Sequence, residues 1–261
     1  MKILTTLKTG SVLAILLTLL FVAGCQGGVK GSGKLQTENY DYSDFTHVYV
    51  SNAFTIDVVQ SSSYSIEVTV DDNLLEYIDI SREGGTLKIG LTKVTLLWPI
   101  TLEAKINMPD LRGLVLSEAT RSTVSGFSAT KNLDIELLGA SSLDLVDMSV
   151  GVIKFNVYGA SKVAGNIIAD DAEFNVDGVS TVQLEGSADN MAVEATGSSR
   201  VELAGLTAGN VDIKLSGASI GAVNVDGRLD ADLSDASTLS YIGEPTMGAI
   251  NTAGASTLRW K

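Results

Sequence analysis

Serine is the residue type in this chain whose spacing most resembles a row of nucleophiles. Seven serines occupy one position of a repeated Gly-Ala-Ser-like triplet, namely Ser141, Ser161, Ser180, Ser199, Ser219, Ser237 and Ser256. A serine hydroxyl acts as a nucleophile only when a general base lies beside it. No base recurs beside these serines, so we expect inward hydroxyls that bond the carbonyl groups of a bend.

The chain contains one histidine, His47, and one cysteine, Cys25. Protein zinc sites of the usual type need several His or Cys ligands. The composition therefore predicts neither a metal site nor a bound cofactor, and it favours His47 as a surface or core residue over a catalytic base.

Acidic residues are the remaining candidates for chemistry, at Asp71–Asp72, Asp170–Asp171 and the pair Asp230 and Asp232. Calcium takes six to eight oxygen ligands, and the glycine-rich calcium-binding repeat of toxin β-rolls does not occur here. Outward cations stand near acids at Lys154, Lys162, Arg200 and Lys214. Polysaccharide-cleaving enzymes use such charges in a groove, but alternating charge on a solvated sheet gives the same pattern. We predict a solvated face and no catalytic residues.

Cys25 follows a segment typical of bacterial lipoproteins. Lys2 and Lys8 precede an apolar stretch of residues 12–23, which is too short to span a bilayer and fits a signal peptide core. The stretch ends in Val22-Ala23-Gly24-Cys25, which resembles a lipobox. We predict a signal peptide over residues 1–24 and lipid attachment at Cys25; the alternative is an ordinary secretory signal.

A glycine-rich flexible tether is predicted over residues 25–34, which would join the lipid to the folded part. Gln26 replaces the aspartate that retains lipoproteins in the inner membrane, so we expect an outer-membrane anchor in a cell with two membranes. In a cell with one membrane, the anchor would be on the outer face of the plasma membrane. Beyond Lys2 and Lys8, 16 basic residues oppose 31 acidic ones, a net charge of −15, which argues against nucleic acid as a partner.

These residues must be positioned by a repeated element. The triplets begin at Gly139, Gly159, Gly178, Gly197, Gly217, Asp235 and Gly254, at intervals of 18 to 20 residues, and a degenerate copy begins at Glu118. Such a period indicates a solenoid. Apolar residues alternate with polar ones before each triplet and resume after it, as in strands with one buried face. The pattern predicts an all-β chain whose residues 112–261 form a right-handed parallel β-helix of about 20 residues per coil; a β-sandwich is the alternative.

Residues 35–111 are strand-like but less periodic, and we expect them to cap the first coil and to form one continuous domain with the repeats. Glu83-Gly84-Gly85-Thr86 predicts a hairpin turn. Met108-Pro109-Asp110 predicts the join to the repeats, and Trp260 is expected to cover the last coil.

The order of several segments resembles one family, the head GIN domain of putative auto-transporter adhesins. The segments are residues 48–56, the strand 85–89, the join at 106–111 and the Gly-Ala-Ser triplets. The resemblance covers about 35–258 and implies a right-handed β-helical fold. It carries no catalytic motif over to this chain.

Three functions remain open from the sequence. The first is a lipid-anchored envelope protein that binds a carbohydrate or protein ligand without catalysis. The second is a polysaccharide-active β-helix enzyme, and the third is a structural or sensory component of the envelope. The lipobox and the lack of a catalytic constellation favour the first.

Overall fold

A computed structural model describes residues 28–128 and 131–261. The predicted signal peptide, Cys25 and Gln26 lie outside the described residues. Described strands of the N-terminal region are β1 (Val29–Lys30), β2 (Leu35–Tyr40), β3 (His47–Val50), β4 (Thr55–Gln60), β5 (Ser65–Asp71), β6 (Ile78–Glu83), β7 (Thr86–Leu91), β8 (Leu96–Leu97) and β9 (Leu102–Met108). A short 3-10 helix, Asp72–Tyr77, follows β5.

The described strands of the repeat region stack as parallel coils. They are β10 (Gly113–Leu116), β11 (Arg121–Ser125), β12 (Leu133–Leu137), β13 (Ser142–Val157), β14 (Lys162–Val176), β15 (Thr181–Ala195), β16 (Arg200–Leu215), β17 (Ile220–Leu233), β18 (Thr238–Ile242), β19 (Thr246–Thr252) and β20 (Thr257–Trp260). Each pairs in parallel with the strand one coil away. The result is the predicted β-solenoid, with about seven turns.

Each of the strands β13 to β17 runs from one triplet to the next. Each coil therefore turns at the triplet and also at irregular bends within the long strand, where the alternation of buried and exposed residues is interrupted. The register of β13 against β14 shifts between Leu145 and Met148 at such a bend. Gly165, with a φ of +124°, lies at this corner, in a backbone region that side chains other than glycine rarely adopt.

The N-terminal region caps this stack and also contributes to it. Strands β3 and β4 pair in parallel with β10 and β11, so residues 47–60 form a coil of the solenoid. Beneath them lie β7 and β9, also parallel. The outermost partners are antiparallel: β6 forms a hairpin with β7 at the predicted Gly84–Gly85 turn, and β2 and β5 extend the sheet from β9. Because β3 and β4 join the stack, the predicted boundary at 111/112 falls inside one continuous sheet.

A single apolar core runs through the coils, from Phe45 to Leu239. The predicted inward columns are buried, as at Ile135, Phe155 and Phe174. Like side chains stack because parallel strands in register place the same position of each coil about 4.8 Å above the last.

The described part of the predicted tether differs from the expectation of a flexible chain. Strand β1 pairs in parallel with β8. The backbone N–H of Ser32 donates to Asn73 Oδ1 at 3.0 Å, and that of Gly33 donates to Asp71 Oδ1 at 2.7 Å. These bonds attach residues 29–33 to the cap, since side chains about 40 positions later supply acceptors for their backbone.

Candidate functional site

Most hydroxyls of the serine column point inward and bond the carbonyl groups of the bends, as the sequence predicts. Ser161 and Ser199 are 1% exposed, and each donates its hydroxyl to the carbonyl three residues earlier, at 2.8 Å. The Ser219 hydroxyl contacts both Ser216 O and, one coil away, Ala195 O. These three hydroxyls therefore donate their protons to carbonyl groups at the triplet bends, and not to the general base that a nucleophilic serine needs.

The triplet glycines explain why the bends stack so closely. Gly178 has a φ of +82°, and a Cβ on it would collide with Gly159 O of the preceding coil. The same carbonyl accepts the Val179 N–H at 2.7 Å. Asp235 adopts a φ of +60° at the equivalent position, a region that aspartate tolerates better than most residues.

His47 begins β3 on the exposed face. Its Nδ1 lies 3.0 Å from Thr46 Oγ1, and its ring covers Gly113 of the next coil. No carboxylate among the described residues hydrogen-bonds this ring. His47 therefore lacks the acidic partner that orients a catalytic histidine.

The predicted acidic pairs lie in separate places. Asp71 is 2% exposed and accepts two backbone N–H groups, from Gly33 at 2.7 Å and Thr101 at 2.8 Å. Asp72 faces outward, and hydrogen bonds from Ser32 and then Lys34 hold its pKa below the ordinary value. Across residues 28–128 and 131–261, no group of three or more His, Cys, Asp or Glu side chains converges as a metal site would require.

The outward face of β14 to β17 contains a depression of about 310 Å³, which we call the acidic depression. Its outward lining residues are Asp171, Glu173, Asn190, Ala192, Asn210, Asp212 and Asp230. It exists because the short side chain of Ala192 stands between the longer Glu173 and Asp212 in one column of the stack. A smaller depression of about 120 Å³ continues it toward Glu194 and Lys214.

An amide ladder forms one wall of the acidic depression. Asn190 Nδ2 donates to Asp171 Oδ1 at 2.8 Å, and Asn210 Nδ2 donates to Asn190 Oδ1 at 2.9 Å. The ladder repeats at the coil spacing because the three residues are in register. It presents an ordered row of polar groups to solvent.

The charges at the rim of the depression are partly paired. Lys154 Nζ lies 3.3 Å from Glu173. Arg228 donates to both carboxylate oxygens of Asp230, at 2.6 and 2.8 Å, and the Ala249 N–H donates to it at 2.7 Å. These hydrogen bonds lower the pKa of Asp230 to about 2, and the bond from Arg228 has the largest effect. A general acid needs a raised pKa, so Asp230 has the opposite property.

Of the other predicted outward cations, Arg200 contacts Glu202 at 3.2 Å on the face formed after the triplets.

Trp98 and Trp260 are exposed, at 62% and 70%. Trp260 lies beyond Tyr241 in the inward column of the last described coil. In the described part of the chain, no helix has both the length and the apolar character needed to cross a bilayer.

The fold and this face define the class of capped parallel β-solenoids with an apolar interior and polar outward ladders. The chain belongs to the family described as "Putative auto-transporter adhesin, head GIN domain", whose model matches residues 44–245. The family recognised from the segment order is therefore confirmed. Its description indicates a surface or extracytoplasmic protein and favours a role without catalysis.

Solved structures share the fold at low sequence identity. A putative adhesin from Parabacteroides merdae has a TM-score of 0.84 at 22% identity, over 89% of this chain and 98% of that one. A putative adhesin from Parabacteroides distasonis has a TM-score of 0.84 at 23% identity, over 89% and 99%. A putative lipid binding protein from Parabacteroides distasonis has 0.79 at 17%, over 89% and 99%. No curated protein matches the chain.

Proposed function

We propose that this chain is a lipid-anchored envelope protein that binds a carbohydrate or protein ligand without catalysis. The lipobox at residues 22–25 supports the anchor, and the adhesin description of the family supports ligand binding at the surface. The lipid on Cys25 holds the protein to the outer membrane if the cell has two membranes, or to the outer face of the plasma membrane otherwise. Its net charge disfavours nucleic acid as the ligand.

The acidic depression is the observation that supports a ligand-binding face. It combines carboxylates with amide groups on strands that the stack holds rigid. Carboxylate and amide oxygens accept hydrogen bonds, and amides also donate them. This chemistry suits the hydroxyl groups of a glycan or a protein segment that carries positive charge.

The binding proposal is tested with the full mature chain on a glycan array and in an envelope pull-down. Ala192→Arg fills the acidic depression and adds positive charge. Ala222→Arg is the matched control, because Ala222 faces outward on the strands after the triplets. We expect loss of the captured ligand with Ala192→Arg and retention with Ala222→Arg. Equal binding by both variants would exclude this depression as the site.

The anchor is tested separately with Cys25→Ser. We expect the variant to leave the membrane fraction and to lose labelling by a palmitate analogue. A Ser variant that still fractionates with membranes and still takes the label would contradict lipid attachment at Cys25.

The absence of catalysis is tested by incubating the protein with pectins, alginates, glycosaminoglycans and peptidoglycan, with and without Ca²⁺. We expect no turnover. Cleavage of any of these polymers that disappears on Asp212→Asn would contradict the proposal and favour a polysaccharide-active enzyme.

A further inference from the structure

The start of the described chain is held against one corner of the cap. The Val29 N–H donates to Thr95 O at 2.8 Å, and Asn73 Nδ2 donates to Lys30 O at 2.8 Å. Val29 lies opposite Leu96 in the parallel pair of β1 with β8. These contacts therefore hold the N-terminal segment on the cap from Val29 onward.

Asp71 acts as the clamp of this corner. Its buried carboxylate joins Gly33 on the N-terminal segment to Thr101, which follows the loop that contains β8. A Cβ on Gly31 would lie 2.5 Å from Asp71 Oδ2, so only glycine leaves room for the carboxylate. One buried acceptor thus fastens the N-terminal segment and the β8 loop to the same strand end.

The same corner exposes apolar side chains. Trp98, which directly follows β8, is 62% exposed, and Leu35, which pairs with Asp71, is 54% exposed. Val29, Leu96 and Ile100, on the same segments, are partly buried and pack against the core. Lys30 is exposed opposite Leu97. An exposed tryptophan with neighbouring apolar residues and a lysine is the composition found at membrane–water interfaces.

The distance to the lipid limits where this corner can lie. Three residues lie between Cys25 and Val29, and the four Cα-to-Cα steps of this segment span at most about 14 Å when fully extended. That reach is less than half the thickness of a bilayer with its headgroups, about 40–45 Å. A lipid on Cys25 therefore keeps the corner close to the membrane.

We propose that this corner, formed by β1, Leu35 and residues 94–100, docks on the phospholipid bilayer with Trp98 in the interface. The inference rests on the lipid anchor proposed above. The docked cap directs the triplet-built coils away from the membrane, and the acidic depression is carried on those coils.

The two tryptophans provide the experiment. The mature lipidated chain is reconstituted into phosphatidylcholine vesicles with and without brominated acyl chains. Trp260→Phe leaves only Trp98 as the reporter, and Trp98→Phe leaves Trp260 on β20, the last described strand of the stack. For side chains buried roughly 5–10 Å into the headgroup boundary, we expect bromine to remove about half of the Trp98 emission and to leave the Trp260 emission unchanged.

The outcomes separate the docking from the anchor. If both variants float with the vesicles and neither tryptophan is quenched, the anchor stands and the docking is wrong. Equal quenching of the two tryptophans would also overturn the docking, because the chain would then lie along the membrane. If neither variant floats, the anchor itself is wrong and the docking falls with it.

A further variant tests the clamp. Gly31→Ala in the Trp260→Phe background displaces Asp71 and frees the N-terminal segment, so the lipid connects to the cap through a longer chain. We expect unchanged flotation and reduced quenching of Trp98. Gly85→Ala, at the exposed turn between β6 and β7, is the control, since no atom lies within 4 Å of a Cβ at that position and its φ is not in the left-handed region. Quenching that is equal in both glycine variants and in their parent would remove Asp71 and Gly31 from the docking mechanism.

Discussion

The rings of Phe155 and Phe174 lie parallel in adjacent coils, with an interplanar angle of 3° and centroids 5.0 Å apart. Both side chains are at most 1% exposed. Their separation is close to the strand spacing of about 4.8 Å, so the stack follows directly from in-register pairing of β13 with β14. The interior of the solenoid is therefore built from columns of like residues.

Truncating one ring should create a cavity in this column. We expect Phe174→Ala to lower the free energy of unfolding by about 3–5 kcal/mol, measured by urea denaturation. Glu173→Ala, at the neighbouring outward position, is the control. Loss of its exposed ion pair with Lys154 should cost at most about 1 kcal/mol. A loss of less than about 1 kcal/mol for Phe174→Ala would mean that the column does not carry this stability.

Removing a buried hydroxyl from the serine column should expose the role of the column. Ser199→Ala leaves Thr196 O without its donor, so we expect a loss of about 1–3 kcal/mol in urea denaturation. The exposed neighbour Ser198 provides the control, and Ser198→Ala should change stability by less than about 0.5 kcal/mol. Equal effects of the two substitutions would show that the hydroxyl contact contributes nothing.

Two glycines separate backbone strain from steric collision. Gly126 has a φ of +78° with no atom within 4 Å of a Cβ, whereas a Cβ on Gly178 would strike Gly159 O. Gly126→Ala should cost only the left-handed backbone term, about 1–2 kcal/mol. Gly178→Ala should cost more and should increase hydrogen exchange at Val179. If Gly178→Ala is the milder change, close stacking of the triplets is not what selects glycine there.

Asp230 gives the last described coil a dependence on pH. Its pKa is lowered to about 2 in the folded chain by Arg228 and the Ala249 N–H. Because this pKa is depressed, the stabilising contribution of the ionised Asp230 side chain is complete above the unfolded pKa near 3.8. It is lost as the pH falls through about 2. We expect protection of the Ala249 amide from exchange to fall across that range. Asp230→Asn should remove this dependence, and a wild-type profile that is flat from pH 4 to 2 would contradict the assignment.

The repeat pattern was sufficient to predict the coils. Apolar residues at every second position, repeated at intervals of 18 to 20 residues, leave few ways to bury one face of each strand except by stacking. The inward serines and the positive φ of the triplet glycines also follow from local sequence. The chemistry of a bend depends on residues that are neighbours in the chain, and periodicity then repeats it.

Contacts between residues distant in the chain could not be read from the sequence. Asp71 holds Gly33 from 38 positions away, and the predicted flexible tether is ordered over residues 29–33 for that reason. Strands β3 and β4 join the solenoid although β5 to β9 intervene before β10.

The acidic depression likewise depends on which outward residues the register places together. Nothing in the local sequence distinguishes Ala192 from other strand residues. Its role in the depression follows from its pairing with Glu173 and Asp212 on neighbouring coils. Sequence period fixed which side chains point outward, because a strand alternates its faces. Only the packed stack decided their neighbours, because lateral pairing is set by register shifts at the corners and by the cap.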